Sequence, residues 1–370
     1  MIRFDRRLLE NFDWIMLITV LIITTVSLIN LYSASHVEGL NSSPVFMRQL
    51  SFYLIGFGMI FTIICFDYRL LIKWNYALYA LVVILLIAAL IFGSTVGGSQ
   101  RWINLGFFRL QPSEPAKLML VITLASFYYR QDTGKGFTLK ELMTPICLTT
   151  IPFLLILKQP DLGTALMLAV IFGSMTLFVK LRWSTLAILT GFCATVIPIA
   201  WKFILKPYQR QRIETFLNPE NDPMNSGYHI LQSKIAVGSG HLFGKGYLEG
   251  TQGHLHFLPE KHTDFAFSVL AEEWGFVGAL FFLACYFFLI LWGLNVGLSS
   301  RDKFGFLLCI GIVSLLFWQA VINLLMVMGF LPVVGIPLPM VSYGGSSLLT
   351  TLISIGILMN IRMRRFQSKP

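Results

Sequence analysis

Ten stretches of mostly apolar residues, most of them about as long as a bilayer is thick, run through this chain: 14–33, 49–66, 74–93, 114–129, 142–157, 162–179, 183–201, 265–296, 304–328 and 340–361. A spanning helix needs roughly 20 such residues. The chain is therefore read as all-α, a polytopic integral membrane protein with about ten transmembrane helices in a single domain over 1–370. The fifth to seventh stretches are closely spaced: only Gln159, Pro160 and Asp161 part the fifth from the sixth, with Lys180 and Arg182 after it. Composition leaves little alternative. Hydrophobic residues make up 56% and charged residues 12%, where a soluble domain carries roughly a quarter charged. The first run, Trp14–Tyr32, exceeds a signal-peptide core and lacks a small-residue cleavage site, so it reads as a retained helix.

The net charge of +10 sits beside apolar segments, which points to membrane orientation and away from nucleic acid as a partner. With the N-terminus inside, the cytoplasmic segments carry Arg3, Arg6, Arg7, Arg69, Lys73, Arg130, Lys135, Lys140, Lys180, Arg182, Arg301, Lys303, Arg362, Arg364, Arg365 and Lys369. The short outer loops carry only Arg48, Arg101, Arg109 and Lys158. This asymmetry places both termini in the cytoplasm and makes 202–263 a large extracytoplasmic loop. Within it, Ser226–Gly238 has a helix start and stop and one apolar face, which predicts a short helix along the membrane surface. Glycines 238, 240, 244, 246, 250 and 253 follow. Such a stretch either brings backbone N–H groups to a ligand or is an ordinary flexible loop, the simpler reading.

Ionisable groups at membrane depth are costly and each needs a reason. Glu114 and Lys117 share a helix face at the start of the fourth span, and Asp161 starts the sixth at the same outer level. A Lys117–Asp161 or Lys117–Glu114 ion pair would lower the cost of burial, either lining a polar cavity or bridging helices. Asp264 enters the eighth span near the membrane surface. There an aspartate can accept a proton from a hydroxyl or, more simply, cap the helix. Glu272 and Glu273, two turns on, must face a polar interior, where structural pairing is the simpler role.

Arg48, Arg101, Arg109, Arg210 and Arg212 all fall near the outer surface, where guanidinium groups bind phosphate oxygens in a fork or attract anionic lipid headgroups. All six histidines are predicted outside, and His254, His256 and His262 fit no standard zinc spacing. The five cysteines lie inside apolar runs and read as packing residues. Ser342, Ser346 and Ser347, at the start of the tenth span, can bind a ligand or, more safely, cap that helix. The chain has no P-loop.

Five segments in order, GGSQRWI at 97–103, QPSEPAK at 111–117, KQPDLGTAL at 158–166, LPEKHTDF at 258–265 and GIPLPMVSYGGSS at 335–347, resemble those of the SEDS family (shape, elongation, division, sporulation) of bacterial membrane proteins. The resemblance covers essentially the whole chain. VGIPLPMVSYGG and LAEEWG look like the versions of the elongation branch. The resemblance implies a peptidoglycan glycosyltransferase of the bacterial cytoplasmic (inner) membrane that polymerises lipid II into glycan strands. It matches the family's essential aspartate to Asp264, reversing the preference for a capping role. It also matches the family's polar pair to Lys117 and Asp161, with Glu114 beside them. The implied partners are a class B penicillin-binding protein, which is a transpeptidase, and other proteins of the elongation complex.

The reaction so implied is an inverting transfer with Asp264 as general base. Its diphosphate leaving group needs charge compensation, for which Arg48, Arg101, Arg210, Arg212 or a divalent cation such as Mg or Mn are the candidates. A lipid II flippase and a non-catalytic scaffold for the transpeptidase are the alternatives. A flippase calls for charges through the bilayer midplane, whereas here they cluster towards the outer face.

Overall fold

The computed structural model describes residues 10–35, 43–96, 99–104, 106, 108–131, 136–199, 207–218, 222, 226–251 and 262–366. These residues form twelve helices and one small sheet. Helices α1 (Trp14–Ser35), α2 (Pro44–Cys65) and α3 (Leu70–Phe92) lead into the antiparallel strands β1 (Ser94–Val96), β2 (Ser99–Asn104) and β3 (Arg109–Leu110). Then come α4 (Ser113–Arg130), α5 (Leu139–Lys158), α6 (Leu162–Leu177) and α7 (Trp183–Ile199). The short helices α8 (Pro207–Leu217) and α9 (Ser226–Ser239) precede α10 (Ala266–Leu298), α11 (Lys303–Val327) and α12 (Gly345–Met363). The surface helix predicted over 226–238 is α9. The sheet was not anticipated, because its strands are too short to show a period of two.

The helix ends follow from local chemistry. Ser43 caps α2 ahead of Pro44, Thr138 and Glu141 form a capping box on α5, and Asp161 and Asp302 cap α6 and α11. Seven helices (α1, α2, α3, α5, α10, α11 and α12) are long and apolar enough to cross a membrane, and α6 and part of α7 are shorter apolar helices. The chain is a multi-pass membrane protein. α4 is too polar to qualify alone, and its burial explains how it is tolerated: fourteen of its residues, Glu114, Lys117, Thr123 and Ser126 among them, are buried by neighbouring helices. α4, α11 and α12 form the buried centre, while α2, α3 and α5 expose most of their apolar surface, as lipid-facing helices do. Small residues let the central helices approach closely: Gly56 of α2 leaves no room for a Cβ beside Leu352, and Gly311 of α11 lies against Val121 and Met175.

Two of the predicted spans are corrected. α10 is broken at Gly275, whose φ of 67° and ψ of −167° lie outside the helical region. The section after the break reaches Leu298, long enough to cross a bilayer alone at 1.5 Å per residue. The section before it, Ala266–Trp274, is a separate half-helix. Ala266 and Glu273 bond to Asn30 and Ser33, so seven residues of half-helix pass only one turn of α1, which they cross obliquely.

The tenth span begins at Gly345 rather than 340. The residues before it form an irregular loop that dips into the bundle: the Met340 carbonyl accepts from Ser27 of α1 and Tyr53 of α2. Ser27 lies eight residues from the end of α1, so the loop penetrates about 12 Å. Irregular backbone at that depth survives only because protein encloses it, and Ile336, Leu338, Met340 and Val341 are all buried.

Candidate functional site

The inserted loop organises one end of the bundle. Each residue from Val333 to Ile336 is held by, or lies against, a different element. The Val333 carbonyl accepts from Arg212 Nη1 on α8 at 3.1 Å. The Val334 carbonyl lies against Gly163 on α6, where a Cβ would meet it at 2.7 Å. Gly335, at φ +72°, lies beside Asp264, and the Ile336 carbonyl accepts from Asn323 Nδ2 on α11 at 2.8 Å.

Asp264 is recessed. Its carbonyl accepts from Asn323 Nδ2 at 3.0 Å, and Asn323 is four residues from the end of α11, which puts Asp264 about 6 Å below the end of that helix. Asp264 stands just ahead of the half-helix, at the start of the eighth span as expected. The capping role is corrected: the residue at the N-cap of the half-helix is Phe265, and it makes no side-chain cap. Asp264 precedes the half-helix with its carboxylate turned towards Gly335.

The other predicted residues separate into groups. Lys117 pairs with Glu114 at 2.7 Å, and both are buried. Asp161 does not pair with Lys117. Its ion-pair partner is Arg101 at 3.7 Å, and its carboxylate also binds Thr164 at the start of α6. Arg101 further donates to the carbonyls of Gln159 and Pro160, so it is occupied in fastening β2 to the α5–α6 turn. Arg212 is next to the Asp264 loop, Arg210 is half-buried on the same helix, and Arg48 and Arg109 are exposed. The segment leading into the Glu114–Lys117 end of α4 joins the first turn of α12 through Ser346, whose Oγ accepts from Gln111 N–H at 3.0 Å and donates to the Arg109 carbonyl. Ser342 Oγ accepts from Leu338 N–H. Neither serine caps α12, whose N-cap is Gly344.

The described part of the glycine-rich stretch is an ordered loop, and Gly253 lies outside the described residues. The loop closes the break in α10. The N–H groups of Lys245 and Gly246 donate to the carbonyls of Glu272 and Glu273, and those of Phe276 and Val277 donate to His241 and Leu242. A Cβ on Gly240 or Gly244 would stand 2.0 Å from the Ala271 or Glu273 carbonyl, so only glycine permits this approach. Beneath the loop, Glu272 pairs with Lys245 at 2.6 Å and accepts from Thr251, while Glu273 accepts from Ser33. Glu272 is paired as expected, whereas the contact shown for Glu273 is a hydrogen bond from a hydroxyl. Burial, then the negative charge of Glu273, raises the pKa of Tyr247 in the same loop.

Among the described residues no three His, Cys, Asp or Glu side chains come together to hold a metal ion. His36, His254 and His256 lie outside the described residues. Cys65, Cys147, Cys285 and Cys309 are free thiols.

Asn323, Asn30, Gly335 and Gly163 were missed from sequence. Buried amides and glycines inside apolar runs look like packing; a polar group at membrane depth is the signal that marks the two asparagines, and nothing local marks the glycines.

The profile of the FTSW_RODA_SPOVE family, described as cell cycle protein, matches residues 13–367. The chain belongs to that family. This is the SEDS group that the five segments pointed to. The peptidoglycan glycosyltransferase MrdB of Escherichia coli K12 is 42% identical over 337 residues, 90% of each chain. Among solved structures, the rod shape determining protein RodA of Thermus thermophilus superposes with a TM-score of 0.71 at 29% identity, covering 96% of this chain and 98% of that one. A chain from a peptidoglycan synthase complex, solved to show how polymerization and crosslinking are coordinated, gives 0.83 at 30% identity, with 96% and 99% covered.

Proposed function

We propose that this SEDS protein is a peptidoglycan glycosyltransferase that polymerises lipid II during cell-wall elongation and the maintenance of rod shape, with Asp264 as general base. The observation that carries the reading is the recessed Asp264 carboxylate lying against a glycine, with Arg212 bound two residues away on the same loop. A glycine leaves room beside the carboxylate for an acceptor hydroxyl. Asp264 takes the proton from the 4-hydroxyl of the acceptor's N-acetylglucosamine, and that oxygen bonds to C1 of the donor's N-acetylmuramic acid with inversion. The bond from C1 to the phosphate oxygen breaks, and undecaprenyl diphosphate leaves. A carboxylate is a weak base for a sugar hydroxyl, so the proton moves late, once bond formation has acidified the hydroxyl.

The leaving group is an anion in need of positive charge. Arg212 is assigned that role first, with Arg210 beside it and exposed Arg48 for capture of the diphosphate. A divalent cation such as Mg or Mn would supply the same compensation. Arg101 is withdrawn from diphosphate binding, because its guanidinium is engaged by Asp161 and two carbonyls. Glu114, Lys117 and Asp161 are the polar groups assigned to line a substrate cavity at this end of the bundle.

The orientation follows the charge asymmetry: the inserted-loop end faces away from the cytoplasm, both termini lie inside, and the membrane is the bacterial inner membrane. The partner is a class B penicillin-binding protein that crosslinks the strands, a reading supported by the likeness to a chain of a peptidoglycan synthase complex, together with other elongation proteins.

The test is polymerisation of purified lipid II by the protein with its cognate transpeptidase, inactivated at its own active site. Wild type should give glycan strands on a gel. Asp264→Asn, folded and partner-bound, should give none, and equal polymer from both would remove Asp264 as the base. No polymer from either, with lipid II crossing liposome membranes, would favour the flippase.

A further inference from the structure

The segment bearing Asp264 is held by its backbone in an alternating pattern. The carbonyls of His262, Asp264 and Ala266 accept, in turn, from Tyr343 N–H at 2.8 Å, Asn323 Nδ2 at 3.0 Å and Asn30 Nδ2 at 2.9 Å. The donors come from the inserted loop, α11 and α1, so three separate elements aim one short segment.

Asn323 differs from the other two donors because its amide nitrogen holds a second strand as well, the Ile336 carbonyl at 2.8 Å. One NH2 group therefore sets the spacing between the backbone of Asp264 and the residue that follows Gly335. The amide cannot be turned over, since Oδ1 would then face two carbonyl oxygens. The side chain is fully buried, and its Oδ1 has no hydrogen-bond partner among the described residues. A buried acceptor without a partner is destabilising, so stability alone is a poor account of an asparagine here.

We propose that Asn323 is a positioning residue for glycosyl transfer: its amide fixes the Asp264 carboxylate against the side-chain-free Gly335, where the acceptor hydroxyl enters. This rests on the reading of Asp264 as the base. Asn323 touches neither sugar. It acts through the two strands it joins, and its loss lets the carboxylate drift from the acceptor oxygen.

Asn360 provides a matched control. It too is buried, and its Nδ2 donates to two carbonyls, Ile63 at 2.6 Å and Phe66 at 2.5 Å, at the opposite end of the bundle. The experiment measures kcat and KM for lipid II, per folded molecule and with the inactivated transpeptidase present, for Asn323→Ala, Asn323→Gln, Asn360→Ala and Asp264→Asn. Asn323→Ala should lower kcat by about 10- to 100-fold, the scale of an ångström of misplacement, and leave KM within about two-fold. Asn360→Ala should lower Tm by a similar amount but keep both constants.

Asn323→Gln keeps the donor on a longer arm, so it should fold even if the alanine variant does not, and should show reduced kcat. A wild-type kcat in Asn323→Ala or Asn323→Gln, or an equal loss in Asn360→Ala, overturns the proposal. If Asp264→Asn is inactive while the Asn323 variants are normal, only the positioning role falls. If Asp264→Asn polymerises normally, the base assignment falls and the positioning role with it.

Discussion

A methyl group placed on Gly335 would stand 3.5 Å from Oδ2 of Asp264. That is ordinary contact with the carboxylate, but it occupies the space from which a hydroxyl would approach. The backbone there is left-handed, at φ +72°, which costs an L-residue about 1–2 kcal/mol. Gly335→Ala should therefore lower Tm slightly and lower lipid II polymerisation far more. Comparing polymer yield with the folded fraction separates the two effects, and a yield that merely tracks folding would count against an approach path beside Gly335.

Arg212 holds the Val333 carbonyl through one guanidinium nitrogen, which leaves the rest of the fork to meet a diphosphate. Arg212→Ala should reduce kcat about 100-fold, since a charge-assisted contact is worth about 1.5–3 kcal/mol. Arg212→Lys should recover only part, because an ammonium cannot bond both partners as a planar fork does. Initial rates at saturating lipid II would show it, and full activity in Arg212→Ala would move the anion site elsewhere.

Removing one member of the Glu114–Lys117 pair leaves the other charge buried alone, a loss of about 3–5 kcal/mol. Lys117→Met should thus lower Tm sharply, whereas Glu114→Gln with Lys117→Met should regain most of it. If the pair is only a bridge, the double variant should also regain polymerisation. Recovery of Tm without activity would support a role in lining the cavity.

The closure of the α10 break rests on glycine and on one ion pair. Gly244→Ala puts a Cβ 2.0 Å from the Glu273 carbonyl at φ +82°, so the loop cannot seat, and the variant should lose folded protein in detergent. Lys245→Ala is milder. It strips the buried Glu272 carboxylate of its cation but leaves Thr251, and Lys245 is a quarter exposed, so about 2 kcal/mol is expected. Glu272→Gln added to Lys245→Ala should restore part of the Tm, and a double variant no more stable than the single would argue against the pairing.

The helical architecture was legible because lipid leaves a strong mark on a sequence. Apolar runs of about 20 residues separated by charged turns admit few alternatives, and the start of α6 follows from Asp161. The eighth and tenth spans depart from the structure for one reason. Residues 266–274 and 340–344 are apolar enough for a span, and apolarity does not distinguish a straight helix from backbone buried beside one. Gly275 inside α10 was the available sign of a break, but isolated glycines are common in membrane helices.

Asp264, Arg212 and Asp161 could be named as candidates because a charge near a bilayer needs a reason. Their partners could not. Lys117 had two carboxylates within plausible reach, and only the packed structure assigns it Glu114 and gives Asp161 to Arg101. Sequence by itself determined the class of fold, the helix order and the residue types available for chemistry, because hydrophobic length and charge are local properties of the chain. Tertiary structure alone decided that the last loop turns inward, that Asp264 is recessed against Gly335 and that Asn323 joins the two, because those contacts link residues from 13 to 313 positions apart whose pairing depends on how the helices pack.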